Sequence, residues 1–150
     1  MKVELVNDEL YHIYINKYYI KDFNKTELIS TIKDLIIKIN KRYRLNLRGF
    51  YKINVYPNKK IGACIDLIKI DENEYSSGID FRIVVYQNEI FYLELEDIEE
   101  LESCTVGYYN EKFYINLDNI KDINKYIDRS RVVYGEELRK VVKNIKLIIL

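Results

Sequence analysis

Hydrophobic and polar positions along this chain follow two periods. Tyr11, Ile13 and Ile15 alternate with His12, Tyr14 and Asn16, the spacing of a strand with two unlike faces. The pattern predicts strands over 2–6 and 10–20, joined at Asn7-Asp8-Glu9. The period then lengthens. Leu28, Ile29, Ile32, Leu35, Ile36 and Ile39 recur at spacings of three and four, which predicts an amphipathic helix from about Lys25 to Tyr43. Asn24 is placed to cap it, Glu27 to complete a capping box, and Phe23 and Leu28 to staple its first turn. Alternation returns over Phe50–Tyr56 and Ile61–Ile70, with Pro57-Asn58-Lys59-Lys60 as the loop between them. Asp71–Gly78 reads as a loop. The tail reads as two short helices, one on Ile120, Ile123 and Ile127, the other on Leu138, Val141, Val142 and Ile145, interrupted at Gly135.

One phrase occurs twice. Residues 86–96 and 108–118 share Tyr86/Tyr108, Asn88/Asn110, Glu89/Glu111, Phe91/Phe113, Tyr92/Tyr114 and Leu95/Leu117. Each copy reads as a tight turn followed by an alternating strand, because Asn tolerates the positive φ of short hairpin loops. Two hairpins are expected: Ile83–Tyr86 with Ile90–Glu96, and Thr105–Tyr108 with Lys112–Leu117. The fold class is therefore α+β: an antiparallel sheet of about seven or eight strands built from hairpins, one long amphipathic helix, and two short C-terminal helices. A chain of 150 residues suits one domain, with 1–70 and 78–150 as candidate subdomains.

Formal net charge is zero, but the charges are segregated. Residues 1–70 carry 14 basic and 7 acidic side chains, residues 71–118 carry 2 and 13, and residues 119–150 carry 8 and 4. Such segregation favours faces of opposite sign, which steer partners. No apolar run is long enough to span a bilayer and the first residues do not form a secretory signal, so a cytoplasmic address is expected.

The residues of common chemistries are sparse. His12 is the single histidine, and Cys64 and Cys104 lie far apart. A zinc site lacks its ligand spacing, and a Ser–His or Cys–His pair would have to use His12. The five glycines form no phosphate loop. Asp71–Ser76 fails the calcium-loop pattern at Tyr75 and Ser76. No catalytic residue, metal or cofactor is assigned, and the chain is read as a non-enzyme. Glu94 and Glu96 point the same way along a strand. Fifteen tyrosines suit an interface, and Tyr14, Tyr18, Tyr19, Tyr92 and Tyr114 are expected to face outward.

Met1-Lys2-Val3-Glu4-Leu5-Val6-Asn7-Asp8, followed by an aromatic strand, a helix and a hairpin, resembles the N-terminal domain of the MecA-type adaptors, which deliver proteins to a Clp ATPase. Val85–Leu95 is similar to that family's tyrosine-rich hairpin, and Tyr126–Leu138 to its closing strand-to-helix turn. The chain is shorter, lacks the long linker, and has no counterpart of the helix before the closing turn. The resemblance implies a non-enzymatic adaptor that binds a substrate with one half and an ATPase with the other.

Three functions are weighed from the residues: two binding roles, and an enzyme using carboxylates, Tyr or Lys in a sheet-lined pocket assembled from distant residues, which no local motif supports. The first is a non-catalytic protein–protein interaction module (a regulatory adaptor, inhibitor or immunity-type protein). It would bind through an acidic, tyrosine-rich sheet face formed by Tyr92, Glu94, Glu96, Glu99, Glu100 and Tyr114, and exposed strand edges would also permit a homodimer. The alternative is nucleic-acid binding through the basic residues Lys41, Arg42, Arg44, Arg48, Lys59 and Lys60.

Overall fold

The computed structural model describes residues 2–71, 79–87, 89–97, 101 and 105–149. The chain divides into two compact units, Met1–Asn88 and Glu89–Leu150. Among the described residues they hold ten strands in two five-stranded sheets, in place of the single sheet of about seven or eight strands expected.

In the first unit β1 (Lys2–Asn7) and β2 (Leu10–Asn16) lead through a 3-10 turn, Lys17–Tyr19, to α1 (Lys25–Tyr43). Then come β3 (Gly49–Asn58), β4 (Gly62–Asp71) and β5 (Ile79–Val85). The sheet order is β1-β2-β4-β3-β5. Every pair is antiparallel except β3–β5. The helical stripe packs as its spacing predicts: Leu28, Ile32, Leu35, Ile36 and Ile39 are buried with Ile13, Ile15, Ile53, Val55, Ile65 and Leu67. The capping box does not form as expected. Asn24 Oδ1 accepts from Thr26 N at 3.0 Å, but the Asn24 amide donates to Asp22 Oδ1 at 2.7 Å, the role expected of Glu27. The predicted strand over 10–20 ends at Asn16, whose side chain accepts from Tyr18 N and starts the 3-10 turn.

The second unit contains β6 (Tyr92–Leu95), β7 (Thr105–Tyr109), β8 (Lys112–Asn116), a 3-10 turn at Leu117–Asn119, α2 (Asn124–Ile127), β9 (Arg131–Val133), α3 (Gly135–Asn144) and β10 (Lys146–Ile149). Its order is β10-β7-β8-β6-β9, antiparallel throughout. The β7–β8 hairpin forms as predicted, with Asn110 and Glu111 both at positive φ, the conformation of a two-residue type I′ turn. The tail departs from expectation in three places, the first being Arg131–Val133, a strand on β6 within a stretch read as helical. Gly135, at φ 61°, opens α3, and Lys146–Ile149 is a strand on β7.

The first copy of the repeated phrase is not a hairpin. Ile83–Val85 lies in β5 and runs parallel to β3, while β6 pairs with β8 and β9. Burial explains the choice. In its observed place β5 sets Ile79, Phe81, Ile83 and Val85 against the α1 core, a long-range gain that a local turn signal does not report. The division between units consequently falls after Asn88 and not within 71–78, a stretch lying outside the described residues apart from the Asp71 backbone.

The two units reuse one motif. Tyr14–Lys25 and Tyr114–Lys125 are identical at eight of twelve positions: Tyr14, Ile15, Asn16, Ile20, Lys21, Asp22, Asn24, Lys25 and the residues 100 further on. Their backbones agree as well. Asn16 and Asn116 each cap a 3-10 turn by accepting at 3.0 Å, and Ile20 and Ile120 each close it by donating to the carbonyl of residue 17 or 117. In both copies the path runs strand, turn, helix, and then a strand parallel to the first with one antiparallel strand between. That intervening strand is β4 in the first unit, from later in the chain, and β6 in the second, from earlier. Each is a split β-α-β arrangement, closed by a strand from opposite sides of the motif.

Among the described residues no helix is long and apolar enough to cross a membrane.

Candidate functional site

The expected acidic, tyrosine-rich face was built on β6 and β8. Strand alternation puts Tyr92 and Glu94 on one side of β6, and the register sets Glu94 beside Tyr114 on β8 and Arg131 on β9. That side does not face outward. Leu138 and Val141 of α3 pack with Tyr114 and Val133, with Tyr92 and Ile145 partly buried against them. Tyr114 is left 5% exposed and Glu94 9%. Tyr92 is half-buried, Glu96 is 88% exposed, and Glu99 and Glu100 lie outside the described residues. The face is thus corrected: two of its six residues are core, and only Glu96 among those described is open.

Glu94 is the centre of a saturated ionic cluster. Its Oε2 accepts from Tyr114 Oη at 2.9 Å and Arg131 Nη2 at 2.9 Å, and its Oε1 accepts from Arg131 Nε at 3.3 Å. Lys112 Nζ stands 3.5 Å from Glu94 Oε1 and 3.6 Å from Glu96. Arg131 also grips Glu137 on α3 with both terminal nitrogens. Burial by itself would raise the Glu94 carboxyl, but the hydrogen bonds from Arg131 and Tyr114 and the charges of Arg131 and Lys112 outweigh it and hold the group below its ordinary range. Burial, then the Glu94 hydrogen bond and charge, push the Tyr114 phenol up to about 12. The hydrogen bonds to Glu137 and Glu94 raise Arg131. Each group is thereby locked in its ordinary charge state, the opposite of a general acid or base poised near neutrality. The cluster ties β6, β8, β9 and α3 together.

His12 and Cys64 share one sheet face of the first unit. His12 lies opposite Asp66, with Nε2 at 3.3 Å from Oδ1, and Cys64 is two residues along β4. Burial, and then the Asp66 charge, push the Cys64 thiol well above its usual range, whereas a nucleophilic cysteine needs the reverse. Among the described residues no group of three His, Cys, Asp or Glu side chains is placed to hold a metal ion.

The basic residues separate. Lys41 and Arg42 line an open groove of about 530 Å³ with Tyr19, Leu35, Lys38 and Ile39. Arg44 is the left-handed C-cap of α1, Arg48 is exposed before β3, and Lys59 and Lys60 sit at the β3–β4 turn. Those four are not among the lining residues. Sequence reasoning missed Lys38, although it precedes Lys41 and Arg42 by three and four positions, the spacing of one helix edge. Tyr18 and Tyr19 are exposed as expected, but Tyr14 is half-buried, its hydroxyl donating to the Ile61 carbonyl at 2.8 Å.

A third surface lies at the edge of the second sheet. β10 has a strand neighbour on one side only among the described residues, and all four of its residues are exposed. Leu147 is 71% and Ile149 84% accessible. No family model, curated protein or solved structure matches the chain.

Proposed function

We propose that this protein is a non-catalytic protein-binding module, of the adaptor, inhibitor or immunity kind, that takes an extended segment of its partner along β10. The observation that carries this reading is the exposed aliphatic edge, Leu147-Ile148-Ile149, on a strand paired on one side only among the described residues. An unpaired strand edge offers main-chain donors and acceptors to an incoming strand, and alternate side chains supply selectivity. Covering Leu147 and Ile149 would add roughly 1.5–3 kcal/mol for each side chain fully buried. The locked state of Glu94, Tyr114 and Cys64 agrees with a protein that binds and does not make bonds. A MecA-like delivery adaptor is one form such a module takes.

The test needs no known partner. Random peptides displayed against the immobilised full-length chain should enrich for alternating aliphatic sequences. A bound peptide should slow amide exchange at 146–149, and a Leu147→Lys/Ile149→Lys variant should lose the capture. Absence of enrichment, or capture undiminished in the variant, would defeat the reading. A dimer in light scattering that the same variant dissolves would identify a second copy as the strand donor.

A further inference from the structure

The groove on α1 lies in the first unit and shares no residue with β10. Three cations, Lys38, Lys41 and Arg42, line it together with the buried Leu35 and Ile39, and the Tyr19 ring, about half exposed, adds an aromatic wall. The positions i, i+3 and i+4 set the three cations along one edge of the last turns of the helix. Arg42 also lies 5.7 Å from the centroid of the exposed Tyr43 ring.

We propose that this groove binds single-stranded nucleic acid, a few nucleotides long, with phosphates on Lys38, Lys41 and Arg42 and a base against Tyr19. Cations near a helix C-terminus are favourable by themselves, because they meet the negative end of the helix dipole. The dipole accounts for the cations but not for the exposed Tyr19 ring beside them. That combination matches a chain of alternating phosphates and flat bases: charge tracks the backbone, and a ring face accepts any base. A duplex buries its base faces in its own stack and offers them to no side chain. The volume falls within the range of about 300–1,000 Å³ usual for small-ligand sites, room for a base and its sugar while the successive phosphates run along the cationic edge. Charge balance points the same way. Residues 1–88 carry 15 Lys and Arg against 11 Asp and Glu, whereas residues 89–150 carry 9 against 13. An acidic peptide would satisfy the cations but has no repeated flat group for Tyr19.

The experiment is fluorescence anisotropy on the full chain with labelled oligothymidylate and oligouridylate of about ten nucleotides, at several salt concentrations between roughly 50 and 200 mM. Three phosphate contacts predict a log–log salt slope of about −2, or a loss of about 15- to 20-fold across that range. Lys38→Gln, Lys41→Gln and Arg42→Gln should each flatten the slope by about 0.7. Tyr19→Leu should weaken binding about tenfold and leave the slope unchanged. These side chains are exposed or border the groove, and circular dichroism verifies that each variant is folded. The Leu147→Lys/Ile149→Lys variant should bind as the parent does, which separates this site from the one on β10. The proposal is overturned by no binding at the lowest salt, by a triple Gln variant that binds like the parent, or by Tyr19→Leu without effect. Equal or tighter binding of a polyglutamate peptide, or of duplex, overturns it as well.

Discussion

Tyr14 and Tyr114 occupy the same position in two copies of one motif and hold different partners. Tyr14 Oη donates to the Ile61 carbonyl at 2.8 Å, while Tyr114 Oη donates to the Glu94 carboxylate at 2.9 Å. The strand residue opposite each explains the divergence: Cys64 on β4 faces Tyr14, and Glu94 on β6 faces Tyr114. In the first unit the phenol reaches past a buried thiol to the β3–β4 turn. In the second it becomes part of an ionic cluster. The two hydroxyls should therefore differ in worth. Tyr14→Phe should cost about 1 kcal/mol, because the Ile61 carbonyl keeps its bond from Lys17 N. Tyr114→Phe removes a bond to a charged acceptor and should cost about 1.5–3 kcal/mol. Urea midpoints of the two variants compare them directly.

Glu94 makes the second unit sensitive to acid. Its carboxyl is held below the ordinary value in the folded protein, so its contribution is complete above the unfolded value, about 4.3, and disappears as pH falls through the lower folded value. Glu94→Gln should cost about 2–3 kcal/mol at neutral pH and should flatten stability below about pH 4. Chemical denaturation as a function of pH tests both. A steep acid loss that persists unchanged in the variant would place its origin elsewhere.

Gly62 cannot be replaced cheaply. Its φ is +129°, and a Cβ there would stand 2.0 Å from the Ile15 carbonyl oxygen and 2.6 Å from Lys17 N. Both are backbone atoms, in the stretch where β2 gives way to the 3-10 turn. Gly62→Ala should cost at least about 2–3 kcal/mol, a fall in Tm of roughly 5–10 °C. A variant melting with the parent would show that the β3–β4 turn relaxes freely.

Cys64 should be chemically silent while the protein is folded. It is 2% exposed and its thiol is shifted upward, which removes both access and thiolate. In a Cys104→Ser background, labelling by a thiol reagent at neutral pH should be at least about 100-fold slower in the native protein than in urea. Comparable rates in the two states would contradict the packing of β4.

Much of the local structure was legible in the residues. Leu28, Ile32, Leu35, Ile36 and Ile39 announced α1 and its buried face, Asn24 its beginning, and Asn110-Glu111 the β7–β8 turn. The Tyr14–Lys25 recurrence at an offset of 100, which identifies the motif common to both units, also stands in the residues, but the expected fold rested only on the 86–96 and 108–118 phrase. The candidate sites were less so. Glu94 and Tyr114 share a face with Glu96 by alternation, but alternation does not say which face a later helix will cover. That depended on α3 folding back with Leu138 and Val141.

Periodicity along a strand reports which side is apolar and carries no information about which edge will meet which neighbour, since every backbone offers the same donors and acceptors at its edges. The chain alone therefore determined the helix, the β7–β8 turn, the tyrosine-rich strands and the uneven distribution of charge. Tertiary structure alone decided that β5 joins β3 in parallel, that one copy of a repeated phrase closes as a hairpin and the other does not, and that Glu94 sits inside an ionic cluster while Lys38, Lys41 and Arg42 border an open groove. Those outcomes turn on apolar surface buried between residues far apart in sequence, and local spacing does not encode it.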